Sequence, residues 1–350
     1  MGKLFQLSTF PDENDNAMPD LPSQLIDRFG RRVNYVRISI TDRCDFRCIY
    51  CMSEDTVFLP RAQILTLEEI LAVAAAFTEL GVEKIRITGG EPLVRKGAVE
   101  LLTEIGKLRG LRELVLTTNG SQLERTAFLL KSAGVKRINI SLDSLDAERF
   151  RNMTRVGDLE QVLRGIDAAL DAGFERLKIN SVVLKNRNHD EVVSLVDYAI
   201  AKKIDISFIE EMPLGTVDDH DRAEAYYSSD DIKQDLERHF LLLPTPDTTG
   251  GPSRYFRVSS SETRVGFISP HSHNFCGTCN RVRVTAEGRL LLCLGNEHSI
   301  DLKRVLRANP GDMNKLKYAI IDAMAIKPER HYFDIKAQPV IFRHMNATGG

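Results

Sequence analysis

The chain has 350 residues, 43% of them hydrophobic, with 47 Lys and Arg against 49 Asp and Glu for a net charge of −2. A chain of this size buries a large core without covalent staples, and a near-neutral balance leaves anion affinity to local clusters, which weighs against a nucleic-acid-binding protein. No stretch approaches the roughly 20 consecutive apolar residues of a membrane helix. Met1 to Phe10 lacks the apolar run of a secretory leader and Asp12 to Asp20 is acidic and polar, so the expectation is a cytoplasmic protein with no membrane partner.

In chain order, residues 1–26 read as an N-terminal extension. From about residue 35 to 215, short β-rich runs alternate with helical patterns, the signature of parallel βα units. The expected strands are Val36–Ile40, Lys84–Thr88, Arg112–Thr117, Lys136–Ser141, Arg176–Leu184 and Asp205–Ile209. Between them the apolar spacing predicts helices over Leu67–Leu80, Ala98–Leu108, Gln122–Ala133, Leu159–Ala172 and Glu191–Lys203, with Gly81, Gly110, Gly134 and Gly173 as stops for four of them. The expected fold is α/β: a partial TIM-type parallel β/α barrel of about six units over residues 27–250, with an open doubly wound sheet as the alternative. Residues 251–350, with hairpin-like runs at Tyr255–Ile268 and Arg281–Leu292, read as a smaller C-terminal region closing the barrel.

Inside the strands, polar and aliphatic residues alternate, as in Val36-Arg37-Ile38-Ser39-Ile40 and Leu177-Lys178-Ile179-Asn180. With helices over the aliphatic face, Arg37, Arg86, Thr117, Asn139, Ser141, Lys178 and Asn180 face the lumen. Barrel interiors are ordinarily filled with branched aliphatics. Unpaired cations there are costly, so the lumen should hold something polar and anionic.

The six cysteines fall into two groups, Cys44, Cys48 and Cys51 as C-x3-C-x2-C after the first barrel strand, and Cys276, Cys279 and Cys293 as C-x2-C-x13-C. Three soft thiolates on one loop can hold three irons of a cubane cluster and leave the fourth iron open for a reacting ligand. On spacing alone the second group equally fits a structural zinc completed by His271, His273 or His298. The turn Thr88-Gly89-Gly90-Glu91-Pro92 at a strand's carboxyl end lets backbone approach a ligand closely.

The first cysteine run, with Tyr50 before its last member, and the Gly-Gly-Glu-Pro turn together resemble the radical S-adenosylmethionine superfamily. Thr117-Thr118-Asn119-Gly120, Ser141-Leu142-Asp143-Ser144, Glu211-Met212-Pro213, Gly266-Phe267-Ile268-Ser269-Pro270, Phe275 to Arg283 and the terminal Gly349-Gly350 are similar, within it, to the GTP 3′,8-cyclase family of molybdenum cofactor biosynthesis. The resemblance runs from about Asp27 to Gly350 and implies two [4Fe–4S] clusters, one on each cysteine group. It implies S-adenosylmethionine contacts at Tyr50, Gly90, Ser141 and Met212, and GTP contacts at Arg37, Arg86, Thr117, Lys178, Arg281 and Arg283. A 5′-deoxyadenosyl radical would take hydrogen from ribose C3′ of GTP, and the C3′ radical would attack guanine C8. Gly349 and Gly350 would form a tail that reaches the substrate and assists this step. A homodimer, a low-potential flavodoxin or ferredoxin as electron donor and a downstream cyclic pyranopterin monophosphate synthase are implied as well.

Two other readings compete: a peptide-modifying radical enzyme, and a zinc-ribbon nucleic-acid module on an α/β scaffold. Three C-terminal cysteines are few for the former, and five inward cations do not suit a peptide. The absence of Trp and of a basic patch interleaved with aromatics argues against the latter. His189, His220, His239, His331 and His344 show no paired spacing, and the acidic run around Asp218 to Asp221 reads as a solvated loop.

Overall fold

The structure, a computed structural model, describes residues 21–217, 219–335, 341 and 343–349. A short antiparallel pair, β1 (Leu25–Ile26) and β2 (Arg32–Val33), leads into the units β3 (Tyr35–Ser39), α1 (Leu67–Glu79), β4 (Lys84–Thr88), α2 (Ala98–Gly106), β5 (Glu113–Thr118), α3 (Leu123–Ser132) and β6 (Val135–Ser141). The series continues through α4 (Ala147–Thr154), α5 (Leu159–Asp171), β7 (Arg176–Val183), α6 (Val192–Lys202) and β8 (Asp205–Glu210). Then follow α7 (Arg222–Ala225), α8 (Ser229–Glu237), β9 (Leu242–Pro244), β10 (Arg254–Val258), β11 (Arg264–Ile268), β12 (Arg281–Val284), β13 (Arg289–Leu291), β14 (Ser299–Asp301), α9 (Leu302–Ala308), α10 (Met313–Ala325) and α11 (Met345–Thr348).

The six strands β3 to β8 lie side by side in sequence order, every neighbour parallel. A doubly wound sheet would reverse direction at a switch point; an unreversed right-handed series keeps all helices on one face and curls into a barrel wall. Among the described residues the C-terminal strands do not close the wall by pairing with one another. They lengthen both edges instead, β12 joining β3 and β11 joining β8, each parallel, with β13–β14 and β10–β9 beyond them antiparallel. The base is stopped by the loop before β10, where the Thr249 carbonyl accepts from Lys84 Nζ at 2.6 Å and from Arg137 Nη2 at 3.3 Å.

The helices form where the chain supplies both an apolar stripe and a cap. At α1 the Thr66 hydroxyl accepts from the Glu69 N–H at 3.1 Å and the Glu69 carboxylate accepts from the Thr66 N–H at 2.8 Å, a capping box. Ile70, Leu71, Val73, Ala74 and Phe77 of this helix are buried. The helix ends at Gly81, φ +84°, where a Cβ would come within 2.2 Å of the Ser23 carbonyl oxygen. Helix α4 was not expected: its eight residues carry only Phe150 and Met153 as large buried side chains, too few to show a 3.6-residue repeat, and its start rests on Asp146 accepting from the Arg149 N–H. Under the helices Val36, Ile38, Ile85, Ile87, Leu114, Leu116, Ile138, Ile140, Leu177, Ile179, Ile206 and Phe208 form one continuous core. Each large aliphatic there contributes roughly 1.5–3 kcal/mol. Among the described residues no helix is long and apolar enough to cross a membrane.

Candidate active site

The inner face of the wall encloses a cavity of about 280 Å³, lined by Arg37, Arg86, Thr117, Asn139, Ser141, Lys178 and Asn180, all the residues that strand alternation places in the lumen. Register explains their crowding. Arg283, Arg37 and Arg86 are direct partners across β12, β3 and β4, so three guanidinium groups stand in adjacent rows. Burial and the neighbouring Arg283 hold the pKa of Arg37 well below its ordinary value, and burial with Arg281 brings Arg283 down to about 10. A row of buried like charges is stable only against an anion.

Part of that anion is built in. Tyr35, inward on β3 beside Arg37, accepts from Arg86 Nε at 2.6 Å, while Arg86 Nη1 donates to Thr117 Oγ1 at 3.0 Å. Burial opposes ionisation of the Tyr35 phenol, but Arg86, Arg37 and Lys84 outweigh it and bring the pKa down to about 7. The folded value lies below the unfolded one of about 10, so the phenolate stabilises the fold at high pH, and this contribution is lost as pH falls through about 7. The metal-free protein is therefore expected to show one tyrosinate absorbance step near 7 that Tyr35→Phe removes. A titration curve unchanged by the substitution would refute the assignment.

Both cysteine groups face the cavity: Cys44, Cys48, Cys51, Cys276, Cys279 and Cys293 line it together, and all six are free thiols. They come together because β12, which follows Cys279, pairs with β3, which precedes Cys44. Burial, with Glu91 and Cys51 nearby, pushes the Cys44 thiol up; burial and Cys51 do the same to Cys48; and Cys51 is pushed up to about 12, chiefly by burial. Thiols this reluctant to ionise alone suit a bound cationic iron cluster that supplies the missing positive charge. At the second group burial pushes the Cys293 thiol up, whereas at Cys279 Arg281, Lys327 and Arg31 outweigh burial and hold the thiol below its usual range. Among the described residues no three His, Cys, Asp or Glu side chains are placed to share one metal ion; thiolates of a cubane need not, since each binds a different iron. The histidines weighed as zinc ligands have other partners or stand apart: His271 Nε2 meets the Glu211 carbonyl at 2.8 Å, His273 Nε2 meets Asp230 at 2.8 Å, and His298 is exposed.

Tyr50, Gly90, Ser141 and Met212 also line the cavity. The Tyr50 hydroxyl donates to Asp143 at 2.6 Å, so its ring rather than its oxygen is left for a ligand. Burial raises Asp143 to about 6 against this bond and that from the Val182 N–H. Among the described residues Asn180 Oδ1 and Thr88 Oγ1 are buried with no hydrogen-bond partner, as suits atoms that face a polar ligand. The tail enters between the triad and the β8 loop: the Met345 N–H donates to the Cys51 carbonyl at 3.2 Å and Asn346 Nδ2 to the Asp42 carbonyl at 3.0 Å. The Gly349 carbonyl then accepts from Arg283 Nη1 at 2.6 Å and Arg37 Nη2 at 3.2 Å. Gly350 lies outside the described residues.

Several lining residues escaped the sequence reading. Tyr35 and Lys84 alternate with Arg37 and Arg86, so the period of two could have found them. Phe275, His331 and Phe333 form an aromatic wall beside the second triad, with the His331 ring 4.5 Å from Phe333 and its pKa lowered to about 4 by burial and His271. Phe275 adjoins Cys276 in the second cysteine motif, but no local pattern announces His331 or Phe333. His220, expected to be uninformative on an acidic solvated loop, is instead buried against Glu211 at 2.7 Å, with Arg222 on the other carboxylate oxygen at 2.9 Å. Arg222 also donates to the Leu214 and Gly215 carbonyls, fixing the segment that carries Met212 and pairs with Ile341 of the tail.

Residues 38–199 match the Radical SAM superfamily, which agrees in class with a sequential parallel wall bearing three cysteines after its first strand. Residues 204–333 match Molybdenum Cofactor Synthesis C. GTP 3′,8-cyclase of Pseudomonas entomophila (strain L48) is 62% identical over 330 residues, covering 94% of this chain and 99% of that protein, and GTP 3′,8-cyclase of Marinobacter nauticus is 61% identical over 328 residues with the same coverage. The chain belongs to the GTP 3′,8-cyclase family. Among solved structures it is similar to Streptococcus suis SuiB, with TM-score 0.60, 14% identity and coverage of 83% of this chain and 67% of that one. SuiB bound to S-adenosylmethionine gives TM-score 0.58 at 15% identity, covering 83% and 69%. At such identity the likeness is one of fold.

Proposed function

We propose that this chain is a GTP 3′,8-cyclase that binds S-adenosylmethionine and GTP from opposite sides of one chamber and forms (8S)-3′,8-cyclo-7,8-dihydroguanosine 5′-triphosphate, the first step of molybdenum cofactor biosynthesis. Cys44, Cys48 and Cys51 would hold one [4Fe–4S] cluster, and Cys276, Cys279 and Cys293 a second that faces the guanine. A reduced cluster on Cys44, Cys48 and Cys51 would supply the electron that splits bound S-adenosylmethionine into methionine and the group that takes hydrogen from ribose C3′; C3′ would then bond to guanine C8, and one further electron and a proton from the donor and solvent would complete the dihydro product. Gly90, Ser141, Met212 and the Tyr50 ring position S-adenosylmethionine. Arg37, Arg86, Arg281, Arg283 and Lys178 neutralise the triphosphate, arginine forks giving paired charge-assisted bonds to phosphate, with Thr117 as hydroxyl partner. Gly349 and Gly350 end a tail that would reach the substrate and assist the cyclisation, and the Gly349 carbonyl on Arg283 and Arg37 would help keep water and stray hydrogen donors out.

The observation that carries this reading is the convergence of both sulfur triads and the arginine row on one cavity. Reconstituted protein incubated anaerobically with S-adenosylmethionine, dithionite and GTP is expected to yield 5′-deoxyadenosine and the cyclised nucleotide together. If 5′-deoxyadenosine forms while GTP is returned unchanged, the substrate assignment fails. In the cell the same reading calls for a low-potential flavodoxin or ferredoxin as donor and for cyclic pyranopterin monophosphate synthase to consume the product. It also carries the expectation of a homodimer in the cytoplasm.

A further inference from the structure

Lys327 stands just past the end of α10, and its side chain is among the largest that are fully buried, with the residue 1% exposed. Its N–H closes the helix end on the Met324 carbonyl at 3.3 Å, which anchors the stem as it turns inward. Among the described residues the acceptor of its ammonium is Cys279 Sγ at 3.8 Å. An ammonium removed from water is costly unless an anion faces it, and here that anion is a sulfur of the second triad. The segment is locked in place by Arg31, whose Nη1 donates to the Cys276 carbonyl at 2.9 Å and the Glu329 carbonyl at 2.6 Å, and whose Nη2 donates to the Pro328 carbonyl at 2.7 Å. Arg31 Nε is held in turn by Asp27 at 2.6 Å. The first triad has a carboxylate beside it instead: Asp45 Oδ1 lies 4.0 Å from Cys44 Sγ, and Asn119 Nδ2 donates to both, at 2.7 Å and 3.9 Å.

We propose that Lys327 is a positioning residue and the buried counter-cation of the second iron–sulfur site, fixing the Cys279 sulfur and making the cluster there easier to reduce than the one at Cys44, Cys48 and Cys51. Positive charge and hydrogen bonds at cluster sulfurs favour the more negative, reduced state. The inference rests on the two-cluster reading above and adds a division of potential between the two sites.

The test is an anaerobic redox titration of the full-length reconstituted protein, followed by electron paramagnetic resonance, for the wild type, Lys327→Gln and Lys327→Arg. The wild type should reduce the second cluster at the higher potential. Lys327→Gln should make that cluster alone about tenfold harder to reduce, a downward shift of ~59 mV for one electron, and Lys327→Arg should restore it. Equal shifts in both clusters, or no shift, overturn the proposal. If the Gln variant fails to assemble the second cluster while the Arg variant assembles it, the need for a cation is upheld; if neither assembles it, Lys327 acts by packing and the proposal falls. A wild type with iron and sulfide for one cluster only would sink the two-cluster reading itself, an outcome separate from an unshifted potential.

Discussion

Cys279→Ser is expected to leave reductive cleavage of S-adenosylmethionine running and to abolish cyclisation. Cys279 belongs to a turn tied to Arg31 and Lys327, whereas the first cysteine loop has supports of its own. There the Arg47 and Ile49 N–H groups donate to the Thr154 and Met153 carbonyls at 3.0 Å, and Asn119 Nδ2 bridges Asp45 at 2.7 Å and Cys44 Sγ at 3.9 Å. A serine oxygen at position 279 replaces a soft thiolate with a hard, weakly acidic hydroxyl that holds iron poorly. Nothing on the opposite wall needs to move. On the proposed two-cluster reading the guanine would lose its anchor, and a reacting carbon displaced by an ångström or so loses about a hundredfold in rate. With anaerobic product analysis, 5′-deoxyadenosine should persist while the cyclised nucleotide falls by at least that factor. Equal loss of both products in a variant that keeps the first cluster would contradict the separation of duties.

Gly90→Ala is expected to fail in the reverse order, losing 5′-deoxyadenosine formation itself by about a hundredfold or more. The Gly90 N–H donates to the Thr41 carbonyl at 2.7 Å and the Glu91 N–H to the Arg43 carbonyl at 2.8 Å, so the turn is sewn to the backbone that enters the cysteine run. A Cβ on Gly90 would stand 2.5 Å from the Arg43 carbonyl oxygen and 2.7 Å from that of Asp42. Both obstacles are main chain, one residue or two before Cys44, and cannot swing aside as a side chain would. Either the turn leaves the ligand or the cysteine loop shifts with it. Below the turn, Glu91 accepts from the Leu93 N–H at 3.0 Å, Thr118 Oγ1 at 2.8 Å and the Asn119 N–H at 2.6 Å, which should keep β4 and β5 joined and the variant folded. A native-like circular dichroism spectrum with a modestly lowered melting temperature alongside lost cleavage would fit this account. Full cleavage activity in Gly90→Ala would refute it.

The features legible in the chain are those written in near neighbours. Alternation in Val36 to Ile40 and Leu177 to Asn180 told which side chains face the lumen, because a strand turns successive residues to opposite sides. Apolar spacing with glycine stops placed α1, α2, α3, α5 and α6 to within about two residues. Cysteine spacing marked two loops able to hold metal. Helix α4 stayed hidden because its stripe is only two large side chains deep. Tyr35 and Lys84 follow the same alternation, although a lysine near a strand's start ordinarily faces solvent.

Other features depended on contacts between distant parts of the chain. That the C-terminal strands flank both edges of the wall follows from β12 meeting β3 and β11 meeting β8, pairings with no local signature. Through the first of these pairings Arg283 comes beside Arg37 and the second sulfur triad turns toward the first. The burial of Lys327 against Cys279, of His220 against Glu211 and of the Gly349 carbonyl between two arginines are likewise meetings of residues far apart in sequence. By itself the sequence determined the repeating units, the inward charges and the metal-binding loops, because periodicity and spacing are properties of adjacent residues. Only the tertiary structure decided that these loops and charges share one chamber, because long-range strand pairing and the packing of the C-terminal segments set which side chains lose water together.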